Sequence, residues 1–462
     1  MNSQFDAIII GTGQAGPSLA GRLSEAGMRV AIIERSRFGG TCVNTGCTPT
    51  KTLIASAYVA QTVRRASSYG VNAGAVSIDM KAVKARKDAI SVRSSLRVES
   101  WLRGMKNVTV YTGTAQFENP DTVRVNSETL RASKIFINVG GRAFVPRFPG
   151  IERVAYLTNS SMMAVDFLPP HLIVVGGSYV GLEFAQMFRR FGSEVTIVEQ
   201  KTRLISREDE DVSHAIREIL VSEGINVRTD ANCIRVDRTD DGVIAGVNCR
   251  EGEPQVVGSH LLLAVGRIPN TDDLGLERAA VAVDSHGYIE VDEHCRTNVP
   301  GIWALGDCNG RGAFTHTSYN DFEIVAANLL DGDPRKLSDR IPCYALFTDP
   351  PLGRVGMTEA EVEKSGRKSL TGKMAMSDVN RAVERGETQG FMKVVVDASS
   401  HEILGAAILG LNGDEVVHSL LDVMYARAPY TTVSRAVHIH PTVSELIPTL
   451  FGKLRATAPD QL

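Results

Sequence analysis

The sequence contains one pattern twice: an apolar strand, a glycine-rich turn, a helix, a second apolar strand and a terminal glutamate. The first copy is DAIIIGTGQAGPSLAGRLSEAGMRVAIIE at residues 6–34, and the second is HLIVVGGSYVGLEFAQMFRRFGSEVTIVE at residues 171–199. In each copy 23 positions separate the first turn glycine from the glutamate. A dinucleotide-binding βαβ unit has this order and nearly this spacing. The repeat therefore predicts an α/β protein that binds two dinucleotides.

The first copy carries the complete glycine fingerprint G-x-G-x-x-G at Gly11, Gly13 and Gly16. The first glycine permits a tight turn, the second lets the backbone approach a pyrophosphate, and the third lets the helix pack on the strand. The helix N-terminus then offers amide donors and a positive dipole end to the phosphates. Glu34 ends the second strand, where its carboxylate is expected to accept hydrogen bonds from an adenosine ribose.

The second copy has a serine in place of the middle glycine. Its three turn positions are Gly176, Ser178 and Gly181. Glu199 is expected to pair with the ribose hydroxyls of a coenzyme and to repel a 2′-phosphate, which favours NADH over NADPH. Lys201 and Arg203 follow closely and are able to neutralise a phosphate, so NADPH stays an alternative.

A pair of cysteines lies in the run GGTCVNTGCTPTK, residues 39–51. Cys42 and Cys47 are five positions apart and precede the helical run TKTLIASAYVA, so both are expected at or near a helix N-terminus. That position lowers a thiol pKa and makes the nucleophilic thiolate available. A static disulfide is disfavoured in a reducing cytosol, and a zinc site lacks a matching second cluster of cysteines or histidines. We therefore predict a redox-active disulfide.

Composition argues against several other classes of protein. The 462 residues carry a formal charge of -3 without a strongly basic block, so no nucleic-acid partner is expected. The sequence has no run of about 18 or more apolar residues, so no membrane span is predicted. Its N-terminus passes directly into a strand without a charged leader or cleavage site, so a cytoplasmic location is expected. Farther along, one helical stretch is predicted from about Thr50 to Trp101, and the Pro- and Gly-rich residues 142–150 mark a domain boundary.

Seven motifs in a fixed order make the chain similar to a known family. They are GTGQAG, GGTCVNTGCTPTK, GGSYVGLEFA, AVGRIPNT, GIWALGDC, FTDPPLGRVGMTE and HIHPTVSE. The chain resembles the flavoprotein disulfide reductases, the class I pyridine nucleotide-disulfide oxidoreductases, which include dihydrolipoamide dehydrogenase, glutathione reductase and mercuric reductase. The resemblance implies two Rossmann-like domains, for FAD and for NAD(P)H, followed by a C-terminal α+β dimerisation domain. The implied division is an FAD-binding domain at 1–150 with the cysteines, an NAD(P)H-binding domain at 151–270, a central domain completing the FAD site at 271–341, and an interface domain at 342–462.

The resemblance also implies roles for residues along the chain. FAD is expected in the first unit, with Asp307 on its ribityl chain, and Tyr179 as the gate over the nicotinamide face of the flavin. Lys51 is expected beside the flavin, paired with Glu183. Residues expected to bind the two cofactors are Gly11, Gly13, Gly16, Glu34, Thr41, Lys51, Thr114, Ala115, Gly306, Asp307, Gly176, Ser178, Tyr179, Gly181, Glu199 and Gly266.

The motif H-P-x-x-x-E supplies the acid/base pair in this family, and here it matches His440 and Glu445. Imidazole titrates near neutral pH and can shuttle a proton, while a carboxylate fixes its orientation and tautomer. In the family this segment reaches the cysteines of the other subunit. The resemblance therefore implies a homodimer in which His440 is donated across the interface, with Cys42 attacking the substrate and Cys47 facing the flavin.

The implied activity passes electrons from NADH through FAD to the Cys42–Cys47 disulfide, and on to a small disulfide, a metal ion or another oxidant. FTDPPLGRVGMTE is similar to mercuric reductases and to bacterial flavoproteins of reactive-chlorine or metal stress. However, the chain lacks the C-terminal cysteine pair and the N-terminal metal domain of mercuric reductase, and it has His440 where that enzyme has tyrosine. A dihydrolipoamide dehydrogenase working with NAD is the main alternative, because HIHPTVSE is similar to its dyad motif. A docking subunit of a larger complex is an alternative of another class.

Overall fold

The computed structural model describes residues 2–240, 242–248 and 252–456. The elements through residue 143 are β1 (Asn2–Gln4), β2 (Ala7–Ile10), α1 (Gly16–Glu25), β3 (Val30–Glu34), α2 (Gly40–Asn44), α3 (Cys47–Arg65), α4 (Met80–Gly104), β4 (Val108–Thr112), β5 (Ala115–Asn119), β6 (Thr122–Val125), β7 (Glu128–Arg131), β8 (Ile135–Ile137) and β9 (Gly141–Ala143).

The middle of the chain forms β10 (Tyr156–Leu157), β11 (His171–Val175), α5 (Tyr179–Phe191), β12 (Glu194–Val198), α6 (Glu210–Ser222), β13 (Asn226–Arg228), β14 (Asn232–Thr239), β15 (Gly242–Asn248), β16 (Gln255–Gly258), β17 (His260–Leu263), β18 (Arg267–Pro269), β19 (Ile302–Ala304) and α7 (Thr315–Ala326). The C-terminal part forms β20 (Cys343–Leu346), β21 (Leu352–Gly356), α8 (Glu359–Lys364), β22 (Ser369–Ala375), α9 (Asn380–Glu384), β23 (Phe391–Asp397), β24 (Ile403–Leu409), α10 (Gly413–Val416), α11 (His418–Tyr425), α12 (Thr431–Ser434), α13 (Ile447–Phe451) and β25 (Arg455–Ala456).

Two parallel sheets repeat one topology. The first has the strand order β19-β8-β2-β3-β4, and the second has the order β10-β17-β11-β12-β13. Strands β2 and β3 are buried along their whole length, as expected when helices cover both faces of a parallel sheet. The prediction of two Rossmann-like α/β domains is confirmed.

Strand pairing shows how the two parallel sheets are connected. Strand β9 follows β8 of the first sheet and pairs antiparallel with β18, which follows β17 of the second sheet. Strand β19 then returns to the first sheet and pairs parallel with β8. The segment after the second unit therefore contributes directly to the sheet of the first unit.

The C-terminal part forms an antiparallel sheet with the order β20-β21-β24-β23-β22-β25. Strands β23 and β24 are buried along their whole length. Lys393 on β23 is buried, and its Nζ lies 2.9 Å from Asp209 and 2.6 Å from Glu359. Because Asp209 immediately precedes α6, this ion-pair cluster joins the antiparallel sheet to the second unit. Within the described ranges, no helix is long and apolar enough to cross a membrane.

The predicted single helical stretch from Thr50 to Trp101 is wrong, because the structure divides it into α3 and α4. A 3₁₀ turn at Ala66–Tyr69 follows α3, and Gly70 then adopts a left-handed φ of 74°. Asp79 starts α4 by accepting a hydrogen bond from the Ala82 N–H at 3.0 Å. A glycine stop and an acidic N-cap therefore break a pattern that is apolar enough to suggest one helix.

Candidate active site

The first glycine turn packs against Asn138, which follows β8. A Cβ atom on Gly11, whose φ is +103°, would overlap the Asn138 carbonyl oxygen, and one on Gly13 would lie 2.7 Å from Asn138 Oδ1. The same Oδ1 accepts a hydrogen bond from the Gly16 N–H at 3.1 Å. Asn138 thus fixes the turn at all three fingerprint glycines, although no sequence motif singled it out.

Glu34 closes the first turn from the end of β3. Its buried carboxylate accepts hydrogen bonds from the Thr12 N–H at 3.1 Å, from the Thr12 hydroxyl and from the Ser36 N–H at 2.9 Å. The carboxylate also lines a cavity that extends to the cysteine pair. Its contact with an adenosine ribose stays a prediction.

A cavity of about 1040 Å³ extends from this turn to the cysteine pair. Predicted site residues in its wall are Gly11, Gly13, Glu34, Thr41, Cys42, Cys47, Lys51, Thr114, Ala115, Tyr179, Glu183 and Asp307. Its volume lies at the upper end of the range for cofactor sites, roughly 300–1,000 Å³. The first turn of α1, residues 16–19, is uncharged, so its positive end faces no competing carboxylate of its own. The residues present therefore fit FAD.

The two cysteines occupy different helices. Cys47 is the first residue of α3, whereas Cys42 lies in the separate short helix α2, which corrects the expectation that both are at the start of one helix. The structure describes both as free thiols. A hydrogen bond from Cys42, helped by Thr315 and the Lys51 charge, lowers the pKa of Cys47 to about 6 in spite of burial. The pKa of Cys42 is raised by the same hydrogen bond and by burial.

Lys51 and Glu183 form the predicted ion pair, with Nζ 2.7 Å from Oε2. Glu183 on α5 is only 4% exposed, and its Oε1 also accepts a hydrogen bond from the Phe347 N–H at 3.1 Å. The Lys51 ammonium additionally lies 4.4 Å from the centre of the Phe347 ring. The pair therefore connects the cysteine helix α3, the second unit and the C-terminal part.

Tyr179 starts α5 and belongs to an aromatic cluster in the cavity wall. Its ring centre lies 5.5 Å from that of Phe314, which stacks on Tyr344 at 5.7 Å and on His316 at 5.4 Å. Burial raises the pKa of Tyr179, which keeps its hydroxyl neutral. Its role as a gate stays a prediction.

Asp307 faces Arg267, with Arg267 Nε 3.5 Å from Asp307 Oδ2. Burial raises the pKa of Asp307, and the arginine opposes that effect. The Arg267 guanidinium also donates to the Gly141 carbonyl. Arg267 is a cavity residue that the sequence argument missed, although it follows the predicted Gly266 directly in the GRIPN motif. Gly266 and Gly306 both have left-handed φ angles, +136° and +75°, as their turns require.

The second glycine turn is similar to the first at its first and third glycines. Cβ atoms on Gly176 and Gly181 would overlap the carbonyl oxygens of Ala264 and Gly176, as their counterparts do in the first turn. Ser178 is extended, with φ -106° and ψ -179°, so a side chain fits there. Glu199 accepts hydrogen bonds from the Gly177 N–H at 2.6 Å and the Lys201 N–H at 2.8 Å. The first turn of α5, residues 179–182, is uncharged, which suits a coenzyme phosphate.

His440 and Glu445 form a dyad at the protein surface. His440 Nδ1 lies 3.0 and 2.9 Å from the two Glu445 carboxylate oxygens, and the histidine side chain is 69% exposed. His440 is not among the described residues that line the cavity of its own chain. Its neighbours Val437 and Ile439 are 100% and 80% exposed. One chain therefore assembles the dyad but does not bring it to its own cysteines.

Comparisons with known proteins agree with this architecture. Residues 5–321 match the family model "Pyridine nucleotide-disulphide oxidoreductase", and residues 343–451 match that family's dimerisation domain. The chain is 34% identical to the probable pyridine nucleotide-disulfide oxidoreductase RclA of Escherichia coli, over 98% of this chain and 100% of that protein. It is 33% identical to the mercuric reductase of Streptomyces lividans, over 96% of this chain and 94% of that protein. It is 32% identical to a dihydrolipoyl dehydrogenase of Cupriavidus necator, over 97% of each chain.

A solved structure has the same fold. The Cu(II) complex of the HOCl-induced flavoprotein disulfide reductase RclA from Escherichia coli superposes with a TM-score of 0.89 at 34% identity, covering 97% of this chain and 99% of that one. The chain therefore belongs to the pyridine nucleotide-disulphide oxidoreductase family, FAD-dependent enzymes that use NAD(P)H.

Proposed function

We propose that this enzyme uses NADH to reduce the Cys42–Cys47 disulfide through FAD, and that the resulting dithiol reduces a metal ion or a small disulfide. The observation that carries the proposal is the unequal cysteine pair in the wall of the FAD-sized cavity. A lowered pKa at Cys47 and a raised pKa at Cys42 favour the thiolate at Cys47 and the thiol at Cys42. This difference in pKa suits a pair in which one sulfur faces the flavin and the other reacts with the substrate.

Several residues of this chain would hold and orient the cofactor. We assign Gly11 and Gly13 to the approach of the pyrophosphate, and Glu34 and Asp307 to the two sugar-like parts of FAD. Lys51, fixed by Glu183, would supply a positive charge beside the flavin ring. FAD, when bound, supplies hydride acceptance from NADH and two-electron transfer to the disulfide.

The substrate step requires a base, because the Cys42 thiol must lose its proton before it attacks. We assign this role to His440 of the partner subunit, oriented by its own glutamate. With a disulfide substrate, the Cys42 thiolate would attack one sulfur, and the imidazolium would return the proton to the departing thiolate. Cys47 would then attack Cys42 to re-form the disulfide and release the second thiolate, which takes a proton from solvent.

The second unit favours NADH over NADPH on the evidence of its side chains. Both basic residues that follow Glu199 already have partners: Lys201 Nζ donates to Ser206 Oγ at 3.0 Å, and Arg203 donates to the Glu208 carbonyl at 3.2 Å. A 2′-phosphate would have to break these bonds and approach the Glu199 carboxylate. Both requirements oppose NADPH.

Names of similar proteins suggest the first substrates to test. One structure of RclA is described as a Cu(II) complex, and the relatives include mercuric reductases, so Cu(II) and Hg(II) head the series. Oxidation of a dihydrolipoyl group by NAD is a second candidate, and the preformed His440–Glu445 dyad favours it because such a pair can deprotonate a dithiol.

The test is NADH oxidation by the purified FAD-bound protein in the presence of Cu(II), Hg(II), glutathione disulfide or lipoamide, with dihydrolipoamide and NAD as the reverse assay. We expect turnover with a metal ion or a small disulfide, and its loss in Cys42→Ser and Cys47→Ser. Turnover that survives both substitutions would contradict the mechanism. Turnover by the isolated protein would also count against a role as a docking subunit alone.

A further inference from the structure

Thr315 lies against the reactive sulfur, and no predicted role included it. Its hydroxyl oxygen is 3.2 Å from Cys47 Sγ, and it is the first residue of the twelve-residue helix α7. The Thr317 hydroxyl accepts from the Phe314 N–H at 3.1 Å and donates to the Phe314 carbonyl at 2.7 Å. These bonds hold the start of α7 in place, so the Thr315 hydroxyl is presented to the sulfur by a fixed backbone.

We infer that Thr315 is a further catalytic residue whose hydroxyl donates a hydrogen bond to the Cys47 thiolate; this inference rests on the proposed function. Reduction of the disulfide breaks the S–S bond with two electrons and produces two sulfur anions. One proton from solvent goes to Cys42, and Cys47 keeps its negative charge. A hydrogen bond from a donor lowers the free energy of this charged sulfur.

Side chains from four elements influence the charge of Cys47. They are the Cys42 thiol from α2, the Lys51 ammonium from α3, the Glu183 carboxylate from α5 and the Thr315 hydroxyl from α7. Lys51 forms a 2.7 Å ion pair with Glu183. The negative charge of Glu183 offsets the positive charge of Lys51 at the sulfur. Cys42 donates only while it carries a proton.

The hydrogen bond that the Cys42 S–H donates to Cys47 is lost during the reaction. The Thr315 hydroxyl therefore becomes important as a donor to Cys47. When Cys42 is deprotonated or bound to the substrate, it has no S–H left to donate. The Thr315 hydroxyl, 3.2 Å from Cys47 Sγ, is then a neutral side-chain donor that remains beside Cys47. Hydrogen bonds to ionised acceptors are roughly twice as strong as neutral ones, so the hydroxyl stabilises the thiolate more than the neutral sulfur of the disulfide.

The test uses the FAD-bound Cys42→Ala protein, in which Cys47 is the only thiol of the pair and the side chain at position 42 has no donor. A thiolate beside oxidised flavin gives a long-wavelength charge-transfer band, and its pH titration reports the pKa of Cys47. We expect Thr315→Val in this background to raise the midpoint by about one pH unit, and Thr315→Ser to restore it. An unchanged midpoint in Thr315→Val would overturn the inference.

Thr48→Val is the matched control, because Thr48 is adjacent to Cys47 and its hydroxyl has no hydrogen-bond partner among the described residues. It should leave the midpoint unchanged, and an equal shift would show that any lost hydroxyl suffices. If Thr315→Val does not retain FAD, the pH dependence of iodoacetamide alkylation at Cys47, read by mass spectrometry, makes the same comparison. A band that is absent in Cys42→Ala but present in Cys47→Ala would instead contradict the proposed function, because the sulfur facing the flavin would be Cys42.

Discussion

The two glycine turns place their first and third glycines against equivalent carbonyl oxygens, but they differ at the middle position and at the residue that follows the neighbouring strand. Ile10 of β2 pairs with Ile137 of β8, and Val175 of β11 pairs with Leu263 of β17. The residues that follow β8 and β17 are therefore equivalent, and they are Asn138 in the first unit and Ala264 in the second. The middle turn residue is Gly13 opposite the asparagine, and serine opposite the alanine.

This difference shows what the middle glycine is for. In the first unit a Cβ on Gly13 would meet Asn138 Oδ1 at 2.7 Å, and a Cβ on Gly40 would meet the Gly13 Cα at 2.9 Å. Gly40 starts the helix of Cys42, so the first turn is enclosed by the segment that carries the redox centre. The second turn has only the small Ala264 side chain at the equivalent place. Glycine is thus required at the middle position of the first turn, where Asn138 and the helix of Cys42 lie against it.

The largest effect is expected when the serine of the second turn is transplanted into the first. Gly13→Ser would place its Cβ against Asn138 Oδ1 and fill the space for the pyrophosphate. We expect the affinity for FAD to fall about a hundredfold or more, measured by flavin fluorescence during reconstitution of the apoprotein.

The control for this change is Gly21→Ser, on the helix α1 that follows the turn. A Cβ at Gly21 has its nearest neighbour 3.6 Å away, which is ordinary contact, so FAD affinity should be nearly unchanged. Normal FAD binding by Gly13→Ser would break the comparison.

The next effect concerns the partner of the glycine. Asn138→Ala gives the first unit the residue type of the second, but it leaves the Gly16 N–H and the Leu305 carbonyl without their partners at 3.1 and 2.9 Å. We expect a loss of about 2 kcal/mol in FAD binding or in unfolding free energy, measured by titration and denaturant melts.

The double variant sharpens the comparison, because Asn138→Ala removes the atom with which the introduced serine would collide. Gly13→Ser combined with Asn138→Ala should therefore bind FAD better than Gly13→Ser alone, by about tenfold. Strictly additive losses would show that the asparagine is not the reason for the glycine.

Sequence reasoning predicted the parts of the site that lie within short motifs. The two fingerprints, the cysteine pair and the Lys51–Glu183 pair all follow from spacing or from resemblance, and the structure brings Lys51 and Glu183 together as expected. The roles of these residues toward the cofactors and the substrate stay predictions. The prediction of two Rossmann-like domains is confirmed, because repeated apolar strands and glycine turns are strong local signals.

Residues that the sequence reasoning missed reach the site from distant segments. Thr315 is 268 positions from Cys47, and Asn138 is 122 positions from the glycine that it holds. Neither residue belongs to a motif with fixed spacing, because the fold of the chain, and not the local sequence, brings each of them to the site. Arg267 lies inside the AVGRIPNT motif. The sequence still predicted no role for it, because an arginine after a glycine does not by itself indicate a binding site, and its carboxylate partner Asp307 belongs to another motif.

A moderate effect is expected at the acidic residue of the second unit. Glu199→Ala removes the expected acceptor for the coenzyme ribose and the group that repels a 2′-phosphate. We expect KM for NADH to rise about tenfold and the preference for NADH over NADPH to shrink, while FAD content stays unchanged. Steady-state kinetics with both coenzymes measure this. Equal increases for NADH and NADPH would show that Glu199 only supports the turn through Gly177.

The smallest effect is expected from Ser178→Gly, the exchange that gives the second turn the residue of the first. Ser178 is extended, and the residue equivalent to Asn138 is the small Ala264, so we expect that glycine relieves no clash. Added backbone freedom costs at most about 1 kcal/mol. KM for NADH should therefore change by less than about fivefold, which corresponds to that free energy. A tenfold increase would mean that the serine hydroxyl itself binds the coenzyme, so that its presence reflects coenzyme contact as well as the absence of an asparagine opposite.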